Sequence, residues 1–162
     1  MTVPHNQSNH LSINDIHGIK TGHYTDFDSV TGCTAVLCEA GAVGGVDVRG
    51  GAPGSRETDL LDPTASVPLI HGVVLSGGSA FGLQTVDGAI QYFKNRGIGH
   101  KAGNSRIPIV AGSILFDLSI GLDETPTSES GYKACIAANN KQIQEGTIGA
   151  GTGATVAKLM GM

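Results

Sequence analysis

Tryptophan is absent from these 162 residues, and aromatic residues make up only 4% of them. The chain is long enough for one domain with a sizeable core. That core must therefore be built from Val, Ile, Leu and Ala. Charge is scarce too, at 15%, which argues against a solvated, disordered chain. The formal net charge is −4, and the few Lys and Arg residues are scattered. No basic stripe with interleaved aromatics exists, so nucleic-acid binding is not expected. No apolar run approaches the roughly 20 residues that a membrane helix needs, so no membrane partner is expected either. The opening MTVPHNQSNHLSIND has no apolar signal core, which makes a cytoplasmic location the default. Cysteines number three, Cys33, Cys38 and Cys135, an odd count that suggests reduced thiols. Their spacing lacks the paired pattern of a zinc site, and no metal or other cofactor is expected.

Glycine is what the chain has in excess, 25 residues with no collagen-like period. Such a surplus reads as tight turns and close backbone packing. Residues 1–12 are polar and are expected to form a flexible N-terminus, with one domain over 13–162. Gly18 and Gly22 read as turns. Thr31–Glu39 is β-branched and apolar and predicts a strand. Gly41–Val48 predicts a second strand, paired with it as a hairpin. Glu57–Pro63 predicts a short helical turn stopped by proline. Pro68–Leu75 is a continuous apolar run of the kind buried on both faces. Ser79–Arg96 predicts a helix with Phe81, Val86, Ala89, Ile90 and Phe93 on its apolar face and Gly97 as its stop. Ile107–Val110 and Ser113–Leu118 predict short strands around Gly112, and Ser128–Lys141 predicts a second helix. The whole is an α+β pattern in one unit.

The junction LSGGSAFGL, where the apolar run meets the first helix, is the leading candidate site. Small residues before a helix start suit an anion or oxyanion cradle, because the first amides of a helix are unpaired and carry partial positive charge. Ser79 is there either a substrate contact or simply the helix N-cap. It does not sit in a nucleophile elbow: Gly77 fits Gly-x-Ser-x-Gly, but Phe81 stands where the second glycine belongs. His71, inside the buried run, reads as a core histidine. GAGTGAT over 149–155 lacks the G-x-G-x-x-G spacing and reads as a tight backbone passage. Arg49 is either a carboxylate clamp or the ion-pair partner of Asp47 or Glu57. Asp117, a lone acid in SILFDL, is either at an edge or a paired structural acid.

Four segments together, GVDVRGGAPGSRETDLL, LSGGSAFGL, IPIVAGSILFDL and GTIGAGTGAT followed by Lys158, resemble the DmpA-type peptidases. That family comprises L-aminopeptidase/D-esterases, β-aminopeptidases and nylon-oligomer hydrolases. The resemblance implies an αββα sandwich of the DmpA/ornithine acetyltransferase type, of which this chain carries only the N-terminal portion, so the sandwich is expected to be incomplete. It also implies a self-processed precursor whose freed N-terminal Ser or Thr is the hydrolytic nucleophile, its own α-amine serving as base. That nucleophile is expected downstream, so no catalytic residue is assigned within the chain. The resemblance assigns Gly77, Gly78, Ser79, Phe81 and Gly82 to the substrate-binding wall. Phe81 stands where the family often has tyrosine, leaving an apolar wall in place of a hydroxyl. Implied partners are a short peptide or amino-acid amide substrate, a missing C-terminal segment or β-subunit, and further copies in a homo-oligomer. Two other readings stay open: an inactive truncated remnant acting as a packing partner, and an N-terminal-nucleophile acyltransferase.

Overall fold

A computed structural model describes residues 11–156. The N-terminal residues expected to be flexible lie mostly outside that range, as does Lys158. The first described element is the 3-10 turn Ile13–Asp15, closed by a capping box in which Ser12 and Asp15 each satisfy the other's backbone. Asn14 is buried and ties this turn to the far end of the chain, donating to the carbonyls of Asn139 (3.1 Å) and Lys141 (2.7 Å).

Five strands form one sheet in the order β1-β2-β4-β7-β3. They are β1 (Ile19–Asp26), β2 (Thr31–Ala42), β3 (Ser55–Arg56), β4 (Ile70–Ser76) and β7 (Val110–Ile114). β1 and β2 form an antiparallel hairpin, β2 and β4 are antiparallel, and β4 and β7 run parallel. Strands β5 (His100–Ala102) and β6 (Ser105–Ile107) make a separate two-stranded hairpin. Helices α1 (Thr85–Asn95) and α2 (Ser128–Ala137) both pack on one face of the main sheet. The core between them is Cys33, Leu37, Val74, Val110, Val86, Phe93, Ala134 and Cys135, with Ala35 and Ala89 between.

Glycines let the helices approach. The register aligns Gly22, Ala35, Val74 and Gly112 in one row across four strands. A Cβ on Gly22 would collide with the backbone of Ala134 and Ala138, and one on Gly112 with the side chain of Val86. Gly22 is therefore a packing position within β1, not the turn its sequence suggests; Gly18, at φ 88°, is the turn. Where the helices cross, Gly88 lies against the backbone of Ser128 and Tyr132, and Gly131 against that of Thr85.

Three expectations change. The hairpin partner of Thr31–Glu39 is β1, and residues 43–49 form no strand. β2 runs on through Gly41, at φ 86°, to Ala42 opposite Ile70 with a register shift after Leu37, and the glycines that follow weaken any further ladder. Gly112 sits inside one continuous strand, not between two. The helix starts at Thr85, because Ser79–Gln84 winds as a tighter 3-10 turn. Val86, Ala89 and Phe93 are buried as their spacing predicts, while Phe81 leaves that face and is 66% exposed. The helical stop holds: Gly97 adopts φ 65° and its amide closes on the carbonyl of Lys94.

The opposite face of the sheet carries Thr34, Val36, Val73, Leu75, Ala111 and Ser113. The 3-10 turn Gly149–Gly151 covers its β1–β2 corner, and the loop of residues 43–54 borders its β4–β7 side. Leu75 is left 42% exposed.

Candidate functional site

Parallel strands β4 and β7 end at the same rim, and the segments leaving them, Gly77–Gly82 and Leu115–Gly121, meet there. Four backbone donors of the first loop have defined partners. The amide of Gly77 donates to the carbonyl of Gly32 (2.8 Å), that of Gly78 to Asp117 Oδ1 (2.6 Å), and that of Ser79 to the carbonyl of Leu115 (3.0 Å). The amide of Gly82 reaches the carbonyl of Gly78 at 3.4 Å. The cradle of unpaired amides expected at Gly78 and Gly82 is thus already filled from within the protein. The capping position belongs to Gly78, in the left-handed region at φ 81°, and Ser79 is the first residue of the turn at φ 53°. A left-handed serine costs of order 1–3 kcal/mol and is held only where its surroundings over-determine it. Here the tethers on both sides of it do so.

Asp117 is the centre of this arrangement. It is 3% exposed, and its second oxygen accepts the Thr31 hydroxyl at 2.7 Å. The reading of a paired structural acid is the one the geometry supports. A Cβ on Gly77 would strike Asp117 Oδ2 and the Thr31 hydroxyl, and one on Gly153 would come within 2.7 Å of Asp117 Cβ. Three separated sequence segments, SGGSAFG, SILFD and GAGTG, therefore converge on one carboxylate. Gly78 is packed against Thr125 and Pro126, and Gly82 against the carbonyl of Gly77 and the Ser76 hydroxyl. That hydroxyl is buried with no hydrogen-bond partner among the described residues. Of the five residues assigned to the substrate wall, Gly77, Gly78 and Gly82 are buried, Ser79 is half-buried, and Phe81 projects to solvent. The glycines shape the rim, and Ser79 and Phe81 present side chains at it. Sequence reasoning missed Thr31 as a partner; nothing local marks a strand threonine as the ligand of an acid 86 positions away.

The GAGTG segment is a tight backbone passage, as its spacing predicts. The amide of Gly149 donates to Thr25 Oγ1 (2.8 Å) and that of Ala150 to Thr34 Oγ1 (3.1 Å). A Cβ on Gly149 would collide with Thr34 and come within 2.6 Å of His23 Nδ1. Arg49 pairs through Nε with Asp47 at 2.7 Å, both well exposed. Its loop and the β4–β7 face enclose a cleft of about 350 Å³ floored by Val73, Ala111 and Ser113.

A histidine–hydroxyl contact, His23 Nδ1 to Thr34 Oγ1 at 2.9 Å, lies beneath the Gly149–Gly151 turn, and the described residues place no such pair at the Ser79 rim. Burial pushes the thiols of Cys33 and Cys135 up to about 12 and raises that of Cys38, which removes thiolate chemistry at neutral pH. His71 is a core histidine: Nδ1 accepts the amide of Ile109 at 3.1 Å, and burial lowers the ring's pKa.

Comparison with known proteins places this geometry. Residues 11–161 match peptidase family S58. An uncharacterised aminopeptidase of Mycobacterium leprae is 43% identical over 93% of this chain and 46% of its own length. The 6-aminohexanoate-oligomer endohydrolase of Paenarthrobacter ureafaciens is 28% identical over 90% of this chain and 39% of its own. Among solved structures, the L-aminopeptidase D-Ala-esterase/amidase of Ochrobactrum anthropi, a variant of the Ntn-hydrolase fold, superimposes with a TM-score of 0.72 at 17% identity, covering 89% of this chain and 44% of that one. The chain thus spans a little under half the length of these relatives. The fold is that variant, of which the described residues supply one five-stranded sheet with its helix layer and the small β5–β6 hairpin. On a match that covers nearly the whole sequence, this chain belongs to peptidase family S58.

Proposed function

We propose that the chain is the substrate-side portion of an aminopeptidase-like amide hydrolase. Its reaction is cleavage of the amide bond of a short peptide or amino-acid amide, with an N-terminal Ser or Thr nucleophile contributed by a segment outside these residues. The observation that carries this reading is a pinned rim without reactive groups. Asp117 and the glycines fix Ser79 and Phe81 at the ends of two parallel strands, yet no nucleophile–base pair accompanies them. Membership of a peptidase family and the identity to an aminopeptidase support the reaction class. In this reading Phe81 is an apolar contact for the substrate side chain, and Ser79 Oγ a polar contact for its backbone. The freed α-amine of the nucleophile serves as its base, so no histidine is required. Self-processing, a homo-oligomer and a cytoplasmic setting complete the proposal.

The test is hydrolysis of aminoacyl p-nitroanilides by this chain alone and by the chain co-expressed with the remaining portion of an S58 relative. The chain alone is expected to be inactive. Together the two are expected to turn over substrate, with intact mass showing a new N-terminal Ser or Thr. Turnover by this chain alone, abolished by Ser79→Ala, would instead make Ser79 the nucleophile and overturn the proposal.

A further inference from the structure

β1 is an edge strand of the main sheet, and only part of its outer side is covered. Thr21 exchanges two backbone hydrogen bonds with Asn139, at 3.0 and 3.2 Å. Backbone groups of a strand alternate between its two sides, so His23 and Thr25, like Thr21, turn their N–H and C=O groups away from β2. No backbone partner meets those of His23 and Thr25 among the described residues. A row of this kind is a template for another strand, and proteins usually blunt it with lysine, proline or a bulge. Residues 22–25 contain no lysine or proline, and their pairing with β2 runs without a break.

This open edge borders a trough of about 550 Å³, whose far wall is drawn from residues 139–148. The volume lies within the roughly 300–1,000 Å³ of small-ligand sites. From Thr21 to Thr25 the edge is about 13 Å long, at roughly 3.3 Å per residue. The trough therefore suits a short segment of chain, not a long strand. Phe27, Ile143 and Ile148 give it apolar contacts, and Phe27 is 72% exposed. The edge itself is held from behind. Thr25 Oγ1 accepts the amide of Gly149 at 2.8 Å, and His23 Nδ1 meets Thr34 Oγ1 at 2.9 Å, both on the face without helices. An edge fixed in advance lowers the ordering cost of binding.

Donors and acceptors that recur along an extended strand are matched in full by another extended backbone, the basis of peptide recognition by strand addition. We propose that the outer edge of β1 at His23 and Thr25 is a docking site for a short, neutral, extended peptide with apolar side chains. The peptide lies outside β1 as a further strand. Its backbone bonds to that of His23 and Thr25, and its side chains rest on Phe27, Ile143 and Ile148. β1 stands two strands away from β4, which carries the Ser79 rim. The site is independent of the hydrolytic reading and survives if that reading fails.

The experiment is an NMR titration of the whole nitrogen-15-labelled chain with the blocked peptide acetyl-Val-Thr-Val-Thr-amide, followed by hydrogen exchange. Saturable shifts of the His23 and Thr25 amides with a Kd on the order of 1 mM are expected. At ten times Kd these two amides should exchange about tenfold more slowly, while those of Gly22 and Tyr24, already bonded to β2, should not change. The same peptide N-methylated at every residue lacks the donors and should bind at least roughly tenfold more weakly. Phe27→Ser, at an exposed position, should weaken binding about threefold or more without affecting folding. Absence of a saturable shift, shifts confined to residues away from β1, or equal binding of the N-methylated peptide would overturn the site. Unchanged binding by Phe27→Ser would overturn the apolar ligand class. In the chain co-expressed with the remaining portion of an S58 relative, the His23 and Thr25 amides should still exchange freely before peptide is added. Protection there would show that a strand of that portion occupies the edge, and would overturn the peptide as its occupant.

Discussion

A single carboxylate, Asp117, holds together residues that the sequence scatters over more than a hundred positions. Its two oxygens accept one backbone and one hydroxyl donor, both buried. Asn in its place offers only one acceptor oxygen, so one donor must face an N–H2 group. A buried donor left unsatisfied costs about 1–3 kcal/mol, and loss of a hydrogen bond to a charged group is of similar size. Asp117→Asn is therefore expected to lower the unfolding free energy by about 2–3 kcal/mol in urea titration. It should also release the Gly78 amide, which will then exchange with deuterium faster than the Gly77 amide bonded to Gly32. A stability change within about 0.5 kcal/mol, the size of an ordinary surface substitution, would show that the carboxylate does not organise the loop. The sequence marks Asp117 as anomalous, an acid among apolar neighbours, but its partners are invisible there. Thr31 is brought to it by strand pairing, and Gly78 and Gly153 by the loops after β4 and after the Gly149–Gly151 turn, which local pattern does not encode.

Elements were legible where one periodicity ran uninterrupted. Val86, Ala89 and Phe93 recur at helical spacing, and all three are buried in α1. The apolar run Pro68–Leu75 did become a strand, β4, between two other strands with a helix above it, but the expected burial on both faces does not hold: Leu75 is 42% exposed on the face that carries no helix. Pattern failed where glycine decided the outcome. Residues 43–49 alternate like a strand but have no neighbour to pair with, and Phe81 keeps the helical spacing yet falls in a 3-10 turn wound on Gly78. Glycine also decides the contact between α1 and α2. Replacing Gly88 by Ala should gain about 1 kcal/mol of helix propensity if nothing else intervened. The added Cβ, however, would press on the backbone of Ser128 and come within 2.5 Å of the Tyr132 amide, and backbone atoms cannot rotate away. Overpacking of this kind costs roughly 1–3 kcal/mol or more. Gly88→Ala is thus expected to destabilise the chain by about 2 kcal/mol net, measured by thermal or urea unfolding. Gly51→Ala, with open space around its Cβ and no positive φ, should stay within about 0.5 kcal/mol of the original. A stabilised Gly88→Ala protein would mean that the helices stand further apart than the glycine contact requires.

On the scale of the whole molecule, the sheet is asymmetric. One face is sealed by two helices, while the other, bordered by the Gly149–Gly151 turn and the loop of residues 43–54, leaves Leu75 partly open at 42% exposure. Adjacent residues of β4 thus experience different surroundings, and substitutions there separate the two faces. Val74 is 1% exposed and packs under the helices; shortening it to Ala removes buried hydrocarbon and should cost about 2 kcal/mol. Leu75→Lys, pointing the other way, should leave unfolding of this chain within about 0.5 kcal/mol, because the lysine stem lies along the sheet and its ammonium reaches water. The same lysine should reduce self-association of the isolated chain, measured by light scattering against concentration, since a partly exposed apolar face favours association. Equal destabilisation by the two substitutions would show that this chain already packs Leu75 as tightly as Val74. If only Val74→Ala destabilises and Leu75→Lys reduces association, the face carrying Leu75 is one this chain leaves for other protein surface to cover.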